Sequence, residues 1–211
     1  MEPFISFDDL QAITTETLTG TDLLVAIALD SACQMVRDET HRTVNLVRDD
    51  IELHDGSGRE VLVLRQLPLI EVTSVYEDDV LLVEGDDYVV GTYGKLYRRS
   101  PWLPFSWSRG RQNIEVTYDH GWAISEDDVV ETSEGIEVDR VPASIRMVAL
   151  EAASRVIRAP SLAAVASGIT GESLGAYSYT ASLGAMSAVI AAGLSEEERV
   201  SLKPWVMVPS G

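Results

Sequence analysis

The sequence predicts an α+β fold: N-terminal helices and a C-terminal helix packed together, with an inserted antiparallel β-block of short hairpins and an extended C-terminal arm. Three observations carry this expectation. Apolar residues recur at helical spacing up to residue 40 and again after Pro142. Between Thr43 and Tyr118 the period changes to two, in short runs of β-branched and aromatic residues. Beyond residue 160, Ala, Gly and Ser largely replace the bulky apolar side chains that a core requires.

Two helices are expected over residues 6–40. Ser6-Phe7-Asp8-Asp9 and Thr19-Gly20-Thr21-Asp22 each set a hydroxyl three residues before a carboxylate, the pattern that satisfies the first free amides of a helix. This predicts a short helix near 7–13 and a long one near 21–40. In the second, Leu24, Ile27, Ala28, Ser31 and Met35 form the stripe, with Asp30, Arg37 and Asp38 off it. Cys33 and Met35 read as core residues.

The β-block follows. Val61–Leu64, Ile70–Tyr76, Tyr88–Val90, Lys95–Tyr97 and Ile114–Tyr118 read as strands. Asp55-Gly56-Ser57-Gly58, Glu77-Asp78-Asp79, Glu84-Gly85-Asp86-Asp87 and Gly91-Thr92-Tyr93-Gly94 read as turns. A spacing of about ten residues leaves no room for parallel crossovers, so six or seven antiparallel strands are expected.

Pro142 opens the C-terminal helix, where its missing amide costs nothing. Ile145, Val148, Ala149, Ala152 and Val156 are its apolar stripe, and Ala159-Pro160 is its expected end. Residues 142–211 hold 14 alanines and six glycines, too few large groups to build a core of their own. Ser195-Glu196-Glu197-Glu198 opens a short helix that Pro204 stops. The expected division is a core over 1–160 (helices 6–40 and 142–159, β-block 43–122, acidic loop 123–141) and an arm over 161–211, ordered by contact with a partner.

Composition restricts the function. The 211 residues carry 34 acidic and 16 basic side chains, a net charge of −18. Residues 1–141 hold 29 acids and 11 bases, whereas 142–211 hold five of each, so the whole excess lies before Pro142. A basic footprint for gripping nucleic acid is absent. The single cysteine, Cys33, excludes an intrachain disulfide and a paired-cysteine zinc site. No apolar run is long enough for a membrane span and no basic, apolar leader opens the sequence, so a soluble chain made in a reducing cytoplasm is expected.

Catalytic patterns fail on inspection. Gly171-Glu172-Ser173-Leu174-Gly175 matches a hydrolase elbow, but His41, His54 and His120 all precede Ser173, and Ala176–Thr180 alternates like a strand where a helix is needed. The acidic turns lack calcium-loop spacing, and the histidines lack zinc spacing. No enzyme activity, cofactor or metal is expected. The concentrated surface feature is the loop from Arg98 to Arg111, with Arg98, Arg99, Trp102, Phe105, Trp107 and Arg109. Arginine and aromatic residues are what interface hot spots are made of. A loop folded over the open end of the β-block, its tryptophans buried, accounts for the same residues. Stacking on single-stranded nucleic acid is a third reading, against which the acidic surroundings count.

The order of parts carries a resemblance. A helix pair precedes Leu67-Pro68-Leu69-Ile70-Glu71-Val72-Thr73-Ser74-Val75, then Gly94-Lys95-Leu96-Tyr97-Arg98 and a Trp/Pro/Gly loop. Val116-Thr117-Tyr118-Asp119-His120-Gly121-Trp122 follows, and Val141-Pro142-Ala143-Ser144-Ile145-Arg146 opens a helix. Over roughly residues 5–160 this resembles the head-to-tail connector (adaptor) proteins of tailed bacteriophages, with a longer acidic insert at 125–140. The resemblance implies a non-enzymatic virion protein at the neck, made in the bacterial host cytoplasm. It would form a ring, of twelve copies in that family, beneath the portal protein. The ring would extend the DNA channel and give the next neck or tail protein its docking platform. DNA would pass without specific binding, and no membrane is involved. Arg98, Arg99, Trp102, Phe105, Trp107, Arg109, Tyr177, Tyr179 and Trp205 are the expected subunit or partner contacts, and Asp78, Asp79, Asp86 and Asp87 the expected channel lining. A neck-closing or tail-terminating protein, and a carbohydrate- or protein-binding β-module resting on Trp102 and Trp107, remain alternatives.

Overall fold

The computed structural model describes residues 1–14, 23–99, 105–125, 138–166, 190 and 193–207, the side chains of 159–166 excepted. The fold is α+β, with packed helices and antiparallel sheets of four and three strands. The chain divides into two compact units. One joins Met1–His41 to Pro142–Met207, and the other is formed by Arg42–Val141.

In the helical unit, α1 (Phe7–Ile13) starts at Ser6, whose Oγ accepts from the Asp9 amide at 3.1 Å while Asp9 Oδ2 accepts from the Ser6 amide at 3.0 Å. The long helices α2 (Leu23–Thr40) and α3 (Ala143–Ala166) pack against each other. Ile145, Val148, Ala149, Ala152 and Val156 are buried, as the α3 stripe predicts. On α2 the buried face is rotated from the expected one. Val25, Ala28, Leu29, Ala32, Cys33 and Val36 are buried, while Leu24, Ile27 and Met35 sit half-buried beside the Ala28–Val156 contact. The helix is covered on more than one side, so its apolar stripe is wider than a single row. Arg37, expected off the stripe, is buried as well. Its Nη2 donates to the Glu2 carbonyl at 2.6 Å and its guanidinium lies 5.3 Å from the Phe4 ring centroid.

The other end of the chain also departs from expectation. Helix α3 does not stop at Ala159 but continues through Pro160. One missing amide bond is carried there by an alanine-rich segment of high helix propensity. Residues 167–189, most of the expected arm, lie outside the described residues. The short helix expected from Ser195 forms as α4 (Glu196–Leu202), with a complete capping box at Ser195 and Glu198 and Leu202 buried, but its segment packs on the same chain. Arg155 Nη1 donates to Glu198 Oε1 at 2.7 Å, the Trp205 indole to Ser144 Oγ at 3.1 Å, and the Met207 amide to the Thr40 carbonyl at 3.0 Å. No helix among the described residues is long and apolar enough to cross a membrane.

The β unit contains β1 (Val47–Ser57), β2 (Val61–Val63), β3 (Leu69–Glu77), β4 (Val80–Leu81), β5 (Tyr88–Val90), β6 (Lys95–Arg98) and β7 (Arg109–His120). One sheet has the order β1-β7-β3-β4 and the other β2-β6-β5, with every ladder antiparallel. Among the described residues, only β3–β4 and β5–β6 are hairpins of consecutive strands. The β1–β7, β3–β7 and β2–β6 ladders join distant segments, so the block is less local than a run of short hairpins. Strand β1 is not among the expected strands and takes in Asp55–Ser57, expected as a turn, while β7 is longer than expected and begins at Arg109, inside the expected loop. The inner faces of both sheets share one core, in which Leu62, Leu96 and Tyr88 meet Val75, Ile114, Val116 and Tyr118.

Candidate functional site

The segment from Arg98 to Arg111 splits into an inward and an outward part. Arg98, at the end of β6, points into the β unit, where its Nε donates to Glu77 Oε2 at 2.9 Å. Its Nη1 donates to the Asp87 carbonyl, and its guanidinium lies 4.9 Å from the Phe105 ring and 5.7 Å from the Trp107 ring. The other Glu77 oxygen accepts from the Ser108 amide at 2.6 Å, which draws the returning loop onto β3. Trp107 is fully buried. Arg98 and Trp107 are thus interior residues of the β unit in this chain. Arg99, Phe105 and Arg109 are exposed, and Arg99 Nη1 donates to the Gly85 carbonyl at 2.9 Å. Trp205 is half-buried in the helical unit. Trp102, Tyr177 and Tyr179 lie outside the described residues, as does the Ser173 motif.

The four turn aspartates divide as well. Asp78 and Asp79 form the two-residue β3–β4 turn, both with positive φ (50° and 64°), the backbone that matches strand twist in a tight hairpin. Asp78 also works structurally: its Oδ2 accepts from Ser108 Oγ at 2.7 Å and its Oδ1 from Asn113 Nδ2 at 3.2 Å. Asp87 is half-buried, and its Oδ2 accepts from the Val83 amide at 2.9 Å. Asp79 and Asp86 are exposed, as is Asp78.

A second polar cluster, which sequence reasoning missed, lies on β1 and β7. Glu52 is buried, and its Oε2 accepts from the Tyr118 hydroxyl at 2.5 Å and from the Arg65 amide at 3.1 Å. Its Oε1 lies 2.9 Å from His54 Nε2, close enough for charge pairing but without hydrogen-bond alignment, and 3.3 Å from Arg65 Nε. Burial alone would raise the Glu52 carboxyl, but the His54 contact, the Tyr118 hydroxyl and the Arg65 amide together hold it below the ordinary carboxylate value. Tyr118 is pushed the other way, by burial and then by the carboxylate it donates to. Farther along the same two strands, His120 Nε2 lies 3.0 Å from Asp50 Oδ2, with its ring 5.2 Å from that of Tyr118. An open depression of about 860 Å³ runs beside this cluster, lined among others by Glu52, His54, Arg65 and Gln66.

The cluster has no nucleophile beside a base. No group of three or more His, Cys, Asp or Glu among the described residues is placed to hold a metal ion. Its evident work is to satisfy polar groups where β1 turns acid and imidazole inward. The Val116–Trp122 segment contains a related constraint. Gly121 has φ +98°, and a Cβ there would stand 2.2 Å from the Asn45 carbonyl oxygen, so the His-Gly-Trp step admits only glycine where β7 leaves the sheet. No protein-family model matches this chain, and no curated protein matches it.

Proposed function

We propose that this chain is a structural virion protein: the head-to-tail adaptor of a tailed bacteriophage, without enzymatic activity. As copies in a ring beneath the portal protein, it extends the DNA channel and offers a platform to the next neck or tail protein. The observation that carries the reading is the partition of the chain. Both chain ends build one helical unit, and the β unit is inserted between them, which is the arrangement the resemblance implies. The charge distribution supports it. The β unit, Arg42–Val141, carries 21 acidic against ten basic side chains, and that excess of carboxylates opposes the cationic contacts to phosphates that would hold DNA in place.

The test is negative-stain imaging of the purified protein mixed with tailless capsids. Decoration of a single vertex by a ring is expected. Capsids left bare, or coated over their whole surface, would overturn the reading.

A further inference from the structure

Strand β1 ends the four-stranded sheet, and its outer edge has main-chain groups to offer. Along an antiparallel ladder, residues alternate between exchanging both backbone bonds with the neighbour and exchanging neither. The Leu82 amide donates to the Val75 carbonyl, so Val75 and Glu77 bond to β4, and Ser74 and Tyr76 bond to β7. Thr117 and Glu115 therefore face β3, while Val116 and Ile114 face β1 at Glu52 and His54. That leaves the N–H and C=O groups of Ile51 and Leu53 pointing away from the sheet. Among the described residues only the Arg65 guanidinium reaches them, with Nη2 3.4 Å from the Leu53 carbonyl.

The open depression beside the Glu52 cluster follows this edge. Asp50–Asp55 line it in unbroken sequence, together with Arg65, Gln66 and Gln112. Side chains alternate along it: Ile51 and Leu53 are exposed on the outer face, and Glu52 and His54 are buried on the inner one. Glu52 Oε1 and His54 Nε2 both lack an aligned hydrogen-bond partner. The lining charges are Asp50, Glu52 and Asp55 against Arg65, an acidic excess. On the outer side Arg111 is offset by Glu115 and Asp79 in the neighbouring hollow. Arg65 holds the edge weakly, with Nε 3.3 Å from Glu52 Oε1 and its side chain 64% exposed. It already sets a cation on Glu52 and a donor on the Leu53 carbonyl.

We propose that the β1 edge binds an extended basic peptide of another protein, which adds to the sheet as a fifth strand. Peptide residues opposite Ile51 and Leu53 bond to the free main-chain groups and are apolar, packing beside those two side chains. The residue between them points inward and is a lysine or arginine that takes Glu52 over from Arg65. Inward-pointing charge keeps a bare edge from pairing indiscriminately, and here it also selects a cation. The groove belongs to a single subunit and does not depend on the ring reading.

Fluorescence anisotropy with the full chain at low salt tests it. The probes are a labelled, end-blocked peptide of alternating valine and lysine and a control of alternating valine and glutamate. Saturable binding of the valine–lysine peptide alone is expected. N-methylation of its valines, whose amides face β1, abolishes binding, and N-methylation of its lysines does not. Leu53→Pro removes an outward amide while sparing the ladder to β7, and weakens binding about tenfold. Arg65→Ala removes the competing cation and tightens binding several-fold. Circular dichroism checks that each variant is folded. Hydrogen exchange gives a second readout, in which the Ile51 and Leu53 amides exchange fast in the free chain and slowly with the peptide bound. No saturable binding, equal binding of the control, weaker binding by Arg65→Ala, or indifference to Leu53→Pro and to methylated valines would each overturn the proposal. So would Ile51 and Leu53 amides already protected in the free chain. Protection rising with protein concentration would put a second copy on the edge, and protection independent of it a segment of the same chain.

Discussion

Arg98 Nε donates to Glu77 Oε2 at 2.9 Å, and each of these two side chains is more than nine-tenths buried. The pair ties the end of β6 to the end of β3, one strand from each sheet, and the Ser108 amide on the same carboxylate adds the start of β7. Breaking a buried pair from one side strands a charge, at about 3–5 kcal/mol. Arg98→Met is therefore expected to destabilise the β unit by about that amount in urea unfolding followed by near-ultraviolet circular dichroism. Arg99→Ala, one residue on and exposed, is expected to cost under about 1 kcal/mol. Equal effects of the two substitutions would contradict the inward placement of Arg98.

Glu52 gives the β unit a pH dependence with a definite sign. Its carboxyl is held below its ordinary value of 4.5 in the folded chain, so between that value and the lower folded one the unfolded chain binds more protons. The stabilisation is complete above about pH 4.5 and is lost as the pH falls through the folded value. Glu52→Gln keeps the shape and removes the titration. It is expected to cost about 1–3 kcal/mol at neutral pH, in line with loss of charged hydrogen bonds, and to flatten the stability profile below pH 4.5. An unchanged slope in the variant would show that other carboxylates govern acid unfolding.

Much of this architecture was legible in the residues. The caps at Ser6 and Ser195, the α3 stripe, and five of the seven strands follow from local chemistry. What was not legible depends on tertiary context. Strand β1 escaped because its alternation is inverted, with Glu52 and His54 inward, and no local rule distinguishes that from a polar loop. Arg98 and Trp107 looked like surface hot spots because an arginine-aromatic cluster reads the same on a surface and around a buried Glu77, 21 residues away in sequence from Arg98. Asp78 and Asp87 looked like solvated turn charges, although one holds Ser108 and Asn113 and the other the Val83 amide.

Val148 faces the helical core from α3 with 4% of its surface exposed. Val148→Asp puts an unpaired carboxylate there, and the expected result is loss of soluble protein or a destabilisation of several kcal/mol. Thermal unfolding by far-ultraviolet circular dichroism reads it. A variant as stable as the parent would place this side of α3 against solvent.

Residues 193–207 are expected to be protected in the free monomer, because their contacts are to Ser144, Arg155 and Thr40 of the same chain. Hydrogen exchange should show slow amides through α4 and at Met207, whose N–H is bonded to the Thr40 carbonyl. Glu198→Ala removes both the Arg155 pair and half of the capping box, and should speed exchange there, with a loss of about 1–2 kcal/mol. Exchange as fast as in an unfolded peptide would mean that this segment needs a partner after all.

The acidic turns provide the last test, which separates channel lining from ordinary solvation. Of the four aspartates, Asp78, Asp79 and Asp86 are exposed and Asp87 is half-buried. Asp78 and Asp87 accept hydrogen bonds that hold the surrounding turns, so lysine at those two positions would confuse folding with function. Asp79→Lys with Asp86→Lys should leave the unfolding midpoint nearly unchanged, since exposed turn charges contribute little. In an assembled ring the double substitution moves each subunit four charge units toward the positive. If the tips project into a channel, the ring acquires a belt of cations facing DNA and binds it at low salt, with affinity falling steeply as salt rises because counterions are released from the phosphates. A mobility shift on assembled rings across a salt series measures this. The expected outcome is a salt-sensitive shift for the double variant and none for the parent. Rings that ignore DNA in both forms would place these tips on the outer wall, and the channel would have to be lined by other residues.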